Sequence, residues 1–347
     1  MRVNRIFGET KFDAFTNKAD RDCQYNYNNF LKAVAKYPAF CNESAEADGV
    51  IAKDMACRAE ISALFSHMSF ASGDFKLVEE EKCASYKDKA DCARGPAMIK
   101  KEEYGEFGAS FLEGLDRSDT LMAKPEIVAD DGYYGFSSAI WKYMKINTPG
   151  PSAHSCMTGF FEPNGGDRMA GHTGGFGTSI FIMQDSTLCG TYAQTDGAKA
   201  LVDQYNANRA ALGLEKDVFN LGCERAWSEF SWNSSQNKQL FFKLTGWGAN
   251  KTCKIANWKT DFTAADLDGY KKCICSGSNS SDPNCQQDTA DYNKDPEAQK
   301  CGAKPPTPPG PSPDPNVKTP LEELMEVLGE IKGKAHFDSE QMSLTTW

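Results

Sequence analysis

Between Ser69 and Pro96 the chain gathers residue types that can move protons. A Gly73-Asp74 turn is followed by Glu79, Glu80 and Glu81, then by Cys83 and Cys92, and then by Arg94-Gly95-Pro96. Neighbouring carboxyl groups are the usual tools of general acid-base chemistry: one donates a proton to a leaving oxygen while the other takes one from water. Glu79 and Glu80 are the candidates for such a base, set against the plainer reading of Glu79 to Glu81 as a solvated charge run. Asp74 reads either as a displaced acid or as a turn residue, the role that aspartate favours at such positions. His67, on the helix leading into the segment, reads as a hydrogen-bonded core group.

The 13 cysteines run from Cys23 to Cys301 without paired CxxC knuckles, and Cys273-Ile274-Cys275 is too tight for a structural zinc site. No metal or other cofactor is expected. Asn-x-Ser/Thr sequons at Asn42, Asn233, Asn250 and Asn279 are potential glycosylation sites of the secretory route. Disulfides in an oxidising, extracellular setting follow, with the odd count leaving one thiol free or joined to another chain. The first residues, Met1 to Arg5, lack the apolar core of a signal peptide, so either the mature chain is shown or the true start is missing. No apolar run is long enough to cross a bilayer. A net charge of −10 argues against nucleic acid as a partner and leaves an uncharged polymer acceptable.

Several elements would have to position the carboxylates. Phe30, Leu31, Val34 and Tyr37 recur at helical spacing before Pro38, and a second helix is expected over 54–68 with Met55, Ile61, Leu64, Phe65 and Met68 on one face. Further helical patterns cover 137–144 and 197–212. After Cys223 the composition changes. Trp227, Trp232, Trp247 and Trp258 precede closely spaced cysteines, where they either supply a small core or stack on sugars. Residues 305–313 are proline-rich and read as a spacer. Beyond it Thr319, Pro320 and Glu322 start a short helix with Leu321, Leu324, Leu328 and Ile331 on one stripe, which either docks back or binds a partner.

Five blocks, in order, resemble the family 19 glycoside hydrolases, the plant-type and bacterial chitinases. They are Tyr27 to Cys41, ending Tyr37-Pro38-Ala39-Phe40-Cys41; Arg58 to Phe65; Ala93-Arg94-Gly95-Pro96-Ala97-Met98-Ile99; Pro125 to Asp130 with Ala139-Ile140-Trp141; and Gly175-Phe176-Gly177 before Cys189-Gly190. The resemblance implies a mainly α (α+β), lysozyme-like, two-lobed domain with a cleft for chitin or a related polysaccharide. It also suggests the pairings Cys41–Cys57, Cys83–Cys92 and Cys189–Cys223. The expected organisation is an N-terminal extension (1–23), the chitinase-like domain (24–225), a cysteine-rich extension (226–302), a proline-rich linker (303–318) and a helical tail (319–347) whose residues 319–333 could mediate self-association or bind a protein.

In that family the acid lies two or three residues before paired glycines, which puts Phe70 or Ala71 at its position here. Neither can donate a proton. The resemblance also marks Arg94, Met98 and Gln184 as substrate-contacting positions, and Arg94 resembles an arginine that structures the active site, for which a buried ion pair is the expected role. Met98 stands where the family has glutamine, Lys100 where it has serine, and Gln184-Asp185 where it has an Asn-Gly pair. The expectation is a secreted chitinase-like protein without its general acid, acting as a carbohydrate-binding or structural protein. The alternatives are an active, inverting chitinase with a displaced acid, or a matrix or filament subunit that binds no sugar.

Overall fold

A computed structural model of the chain describes residues 2–35, 37, 39–43, 50–111, 118–145, 147, 150–184 and 188–231. The cysteine-rich extension beyond Ser231, the proline-rich linker, the tail, and the sequons at Asn233, Asn250 and Asn279 lie outside these residues.

The described part is helical: α1 (Arg2–Ile6), α2 (Glu9–Phe15), α3 (Tyr27–Val34), α4 (Val50–Ala71), α5 (Lys101–Phe111), α6 (Ser118–Ala123), α7 (Ile127–Asp130), α8 (Gly132–Met144), α9 (Ala153–Met157), α10 (Gly165–Met169), α11 (Gly175–Met183) and α12 (Asp196–Ala211). Among the described residues the only β pairing is two isolated bridges, Glu79 with Arg94 and Arg94 with Ile99.

Side-chain caps set several starts. Asn26 accepts from the Asn29 amide at α3, Asp131 from Tyr133 at α8, and Thr195 from Ala198 at α12. Each satisfies an amide that has no partner inside its helix. The cap at Asp131 starts α8 five residues earlier than the periodicity alone suggests. α3 is shorter than expected and ends ahead of Pro38.

α4 is the axis of the domain, and α1, α8, α9, α11 and α12 pack on it. Every residue from Glu60 to Ser69 is buried, so this stretch is not the one-faced amphipathic helix that its spacing suggests; a helix surrounded on all sides has no polar face to keep wet. Its serines manage this by bonding inward, Ser62 to the Arg58 carbonyl and Ser66 to the Ser62 carbonyl, while the Asn208 amide of α12 donates to Ser66 Oγ at 2.9 Å. Met55, expected on the buried face, is exposed, because that face begins only one turn later.

An aromatic cluster of Phe7, Phe12, Phe30, Phe65 and Phe136 forms the centre of the core, mostly edge to face, with ring centroids 4.8–6.2 Å apart. Val3, Ile6, Phe7 and Phe12 belong to this core. Through these residues α1 and α2 pack into the same core, and Arg5 and the buried Arg2 both pair with Asp54 of α4. Burial by itself would raise the Asp54 carboxyl, but the two guanidinium groups outweigh it and hold it below the usual carboxylate range.

Deep in the same unit, His154 of α9 sits between two carboxylates, its Nδ1 2.5 Å from Glu60 Oε1 and its Nε2 3.2 Å from Glu43 Oε2. Glu60 also accepts from the Cys41 amide. Burial opposes the charge, yet the two acids lift His154 to about 10, so it is an imidazolium at neutral pH. Nothing local in the sequence signals this triad, since His154 lies 94 residues from Glu60 and 111 from Glu43.

Candidate functional site

The end of α4, the loop 77–100, α8 and the end of α11 enclose a cavity of about 590 Å³. Ala71 comes from α4; Leu77, Glu80, Glu81, Lys82, Tyr86, Met98 and Lys100 from the loop; Lys142 from α8; Met183 and Gln184 from α11 and its cap. Glu80 and Glu81 are the only carboxylates on this wall among the described residues.

The loop owes its shape to Arg94. Extended residues send successive side chains to opposite sides, so when Glu79 pairs with Arg94, Glu80 is aimed the other way, into the cavity. The Glu80 amide donates to the Ala93 carbonyl at 3.0 Å, and its Oε1 accepts from the Ala93 amide at 2.9 Å. Glu79 is 44% exposed and meets Arg94 Nε at 3.2 Å. Of the two base candidates, then, the structure brings Glu80 to the cavity and spends Glu79 on an ion pair.

Arg94, marked as a substrate contact, does not line the cavity. It is 2% exposed and donates to the carbonyls of Lys89 and Cys92 at 2.7 and 3.1 Å and to the Tyr104 hydroxyl at 3.4 Å. Its planar fork of donors ties the loop together rather than reaching for a ligand. The turn after it returns Ile99 to pair with Arg94 in both directions, at 3.1 and 2.9 Å. Gly95 makes that turn at φ +76°, where a Cβ would lie 2.9 Å from Ser138 Oγ and 3.0 Å from Val128 Cγ1. Met98 follows at φ +45° and puts its side chain on the cavity wall.

Opposite the loop, the structure separates the two positions that the resemblance marks for the acid. Ala71 faces the cavity. Phe70 is 40% exposed and turns its ring toward Gly197 at the start of α12. The following turn holds Gly73, Asp74 and Phe75 in three successive left-handed conformations, and Asp74 Oδ1 accepts from the Ser69 hydroxyl at 2.7 Å. Asp74 is therefore a turn residue, occupied by Ser69 and absent from the cavity wall.

His67 lies buried one turn before Ala71. Its Nε2 is 2.9 Å from Ser179 Oγ and its Nδ1 3.2 Å from Gln184 Nε2. Burial, with a smaller contribution from Lys142, pushes it down to about 3, so it stays neutral. Sequence reasoning did not connect His67 to Gln184, 117 residues away. Lys142 was missed as well, although it directly follows the Ala139-Ile140-Trp141 block.

Cys41–Cys57, Cys83–Cys92 and Cys189–Cys223 are bonded as expected, and Cys23 is also in a disulfide. Cys156 is a buried free thiol, pushed up by its apolar surroundings. Glu79, Cys83 and Cys92 bring their donor atoms within 4.8 Å of one another. The disulfide removes both thiolates, so the group lacks the donors a soft metal needs. Asn42, the one sequon asparagine among the described residues, is half-buried and accepts from Arg2 Nε at 3.3 Å.

Comparison with known proteins follows the same outline. Over 221 residues the chain is 28% identical to "Chitinase 11" of Oryza sativa subsp. japonica, a match covering 58% of this chain and 80% of that protein. It is 29% identical to "Endochitinase 2" of Solanum tuberosum (53% of this chain, 64% of that one) and 29% identical to "Acidic endochitinase WIN6" of Populus trichocarpa (54% and 60%). The chain thus spans less than two thirds of the potato and poplar proteins. Among solved structures, chitinase C from Streptomyces griseus HUT6037 is similar at 19% identity, covering 63% of this chain and 80% of that one, with a TM-score of 0.49. A family 19, class IV chitinase from Zea mays matches 64% of this chain and 100% of that one at 21% identity and a TM-score of 0.45. The family model described as chitinase class I matches residues 6–223, well over half of the chain, and this protein belongs to that glycoside hydrolase 19 family.

Proposed function

We propose that this chain is an extracellular, chitinase-like protein that binds chitin or a related polysaccharide in the cavity beside Glu80 and has lost the general acid of its family. The single observation that carries the reading is the pairing of Ala71 with Glu80 on one cavity wall. Inverting hydrolysis needs a protonated acid on one side of the glycosidic oxygen and a base for water on the other. Glu80 suits the base; a methyl group cannot serve as the acid. Asp74 is held by Ser69 and Glu79 by Arg94, so neither is placed to substitute, and Glu81 comes from the same loop as Glu80 rather than from the α4 position of the family's acid. Loss of a general acid lowers a rate by about 10²–10⁴-fold and leaves binding groups in place.

Binding would then draw on Gln184, Tyr86 and the ammonium groups around the cavity, with Met98 offering an apolar contact. Disulfides in the described domain and the sequons support passage through an oxidising compartment. The tail's apolar stripe would then add a contact to a protein partner or to a second copy.

The retained Glu80, in a family whose named relatives are chitinases, favours one second reading: weak residual hydrolysis by Glu80-directed water. Calorimetric titration with chitohexaose and chromatographic product analysis separate the two. Saturable binding without products supports the proposal. Turnover in the unaltered protein that Glu80→Gln abolishes refutes the loss of activity. Absence of any binding refutes the carbohydrate role and favours a structural subunit.

A further inference from the structure

The hydrogen bonds around His67 determine which end of the Gln184 amide meets a ligand. Ser179 has one hydroxyl proton, and it goes to the Phe176 carbonyl at 2.7 Å. Ser179 Oγ can therefore only accept from His67 Nε2, which makes His67 the Nε2–H tautomer with a bare Nδ1. That Nδ1 and the His67 main-chain carbonyl both face one terminal atom of Gln184, each at 3.2 Å. The carbonyl is an acceptor in every protonation state, so the atom between them has to be the amide nitrogen. Flipping the amide would set its oxygen against the carbonyl. Both amide hydrogens are thereby consumed, and Gln184 Oε1 is left for the cavity that the residue lines. His67 is itself fixed, fully buried and stacked on Phe176 with ring centroids 5.0 Å apart.

We propose that His67 is a positioning residue that makes Gln184 an acceptor-only contact, so a bound ligand presents a hydrogen-bond donor there, an amide N–H or a hydroxyl of the sugar. The inference rests on the cavity being the carbohydrate site. It goes further in assigning polarity: a ligand group that can only accept is refused at Gln184, because no donor remains to meet it. The burial that keeps the imidazole neutral keeps the arrangement the same across the physiological range.

The test has one readout on the free protein and one on binding. Nitrogen-15 shifts of the His67 ring are expected to report the Nε2–H tautomer with no titration between about pH 5 and 8, where an ordinary histidine changes charge; an Nδ1–H tautomer overturns the proposal. In titrations with chitohexaose, His67→Phe keeps the ring stacked on Phe176 and the main-chain carbonyl in place but removes Nδ1, releasing one Gln184 amide hydrogen toward the cavity, and affinity is expected to fall about five- to ten-fold, one net hydrogen bond. His67→Asn, whose side-chain oxygen replaces Nδ1 as acceptor, is expected to restore affinity to within about two-fold of the unaltered protein, a rescue that a purely structural role does not predict. If His67→Phe does not fold, Gln184→Met replaces it with the same expected loss. Unaltered affinity in a folded His67→Phe or Gln184→Met variant overturns the proposal. Failure of the unaltered protein to bind chitohexaose defeats the carbohydrate reading instead, and the ring shifts still decide the tautomer.

Discussion

Ala71→Glu is the sharpest perturbation available, because it places a carboxyl group at the α4 position where the proposed function holds that the family's acid has been lost. Ala71 already lines the wall shared with Glu80, so the new side chain enters an existing space of about 590 Å³ rather than a packed core. Three influences set its proton affinity. It lies at the C-terminal end of α4, where the helix dipole disfavours a carboxylate by about 0.3–1 kcal/mol. Glu80 and Glu81 nearby raise it further as like charges, while Lys82, Lys100 and Lys142 on the same wall oppose both effects. An acid held above its ordinary value is what protonation of a leaving oxygen needs. The expected gain in chitohexaose hydrolysis is about 10²–10⁴-fold over the unaltered protein, equivalent to roughly 2.7–5.4 kcal/mol of barrier at about 1.36 kcal/mol per decade. The assay is product release by chromatography, with proton NMR following whether the new reducing end appears inverted. The reasoning is refuted if a folded Ala71→Glu protein gains less than about ten-fold, given the 10²-fold floor. It is refuted too if the gain survives a second change of Glu80 to Gln.

The other predictions separate structural from functional carboxylates and address the buried charges. Glu79→Gln removes the charge that Arg94 pairs with but keeps an oxygen for Arg94 Nε and leaves the Glu80–Ala93 hydrogen bonds intact, so it is expected to lower stability by about 1 kcal/mol or less in denaturant titrations while leaving chitohexaose affinity unchanged. Glu80→Gln is expected to do the opposite, changing ligand affinity with little change in the melting temperature. His154 holds its proton more tightly folded than unfolded, since its folded value of about 10 lies above the ordinary 6.5; its contribution is complete below pH 6.5 and lost as pH rises toward 10. Unfolding free energy should therefore fall across that window, and His154→Ala, which strands two buried acids, should cost about 3–5 kcal/mol at neutral pH and flatten the profile. Replacing Cys83 and Cys92 together by alanine opens a loop with a sequence separation of 9, and stability is expected to drop by about 2–3 kcal/mol, with weaker chitohexaose binding because the same loop carries Glu80.

The amino-acid sequence by itself determined the family, the helical class and the disulfide chemistry, because each is written in local or ordered signals. Apolar spacing around Phe30 and Leu31 announces α3, and the run from Arg58 to Phe65 together with Arg94 to Ile99 and Gly175 to Gly177 identifies the relatives. The tertiary structure decided which of several adjacent residues face the cavity. Phe70 and Ala71 are neighbours on α4, and Glu79 and Glu80 neighbours on a strand-like segment. Periodicity says that the members of each pair point different ways, but only the packing of α4 against α12 and the bridge to Arg94 says which points inward. The same holds for the contacts that span the chain. Glu43, Glu60 and His154, or His67, Ser179 and Gln184, carry no signature in isolation, since their hydrogen bonds depend on helices brought together from separations of 94 to 117 residues. Local sequence sets the phase of a helix or strand; the direction of the site is set by what packs on its other side.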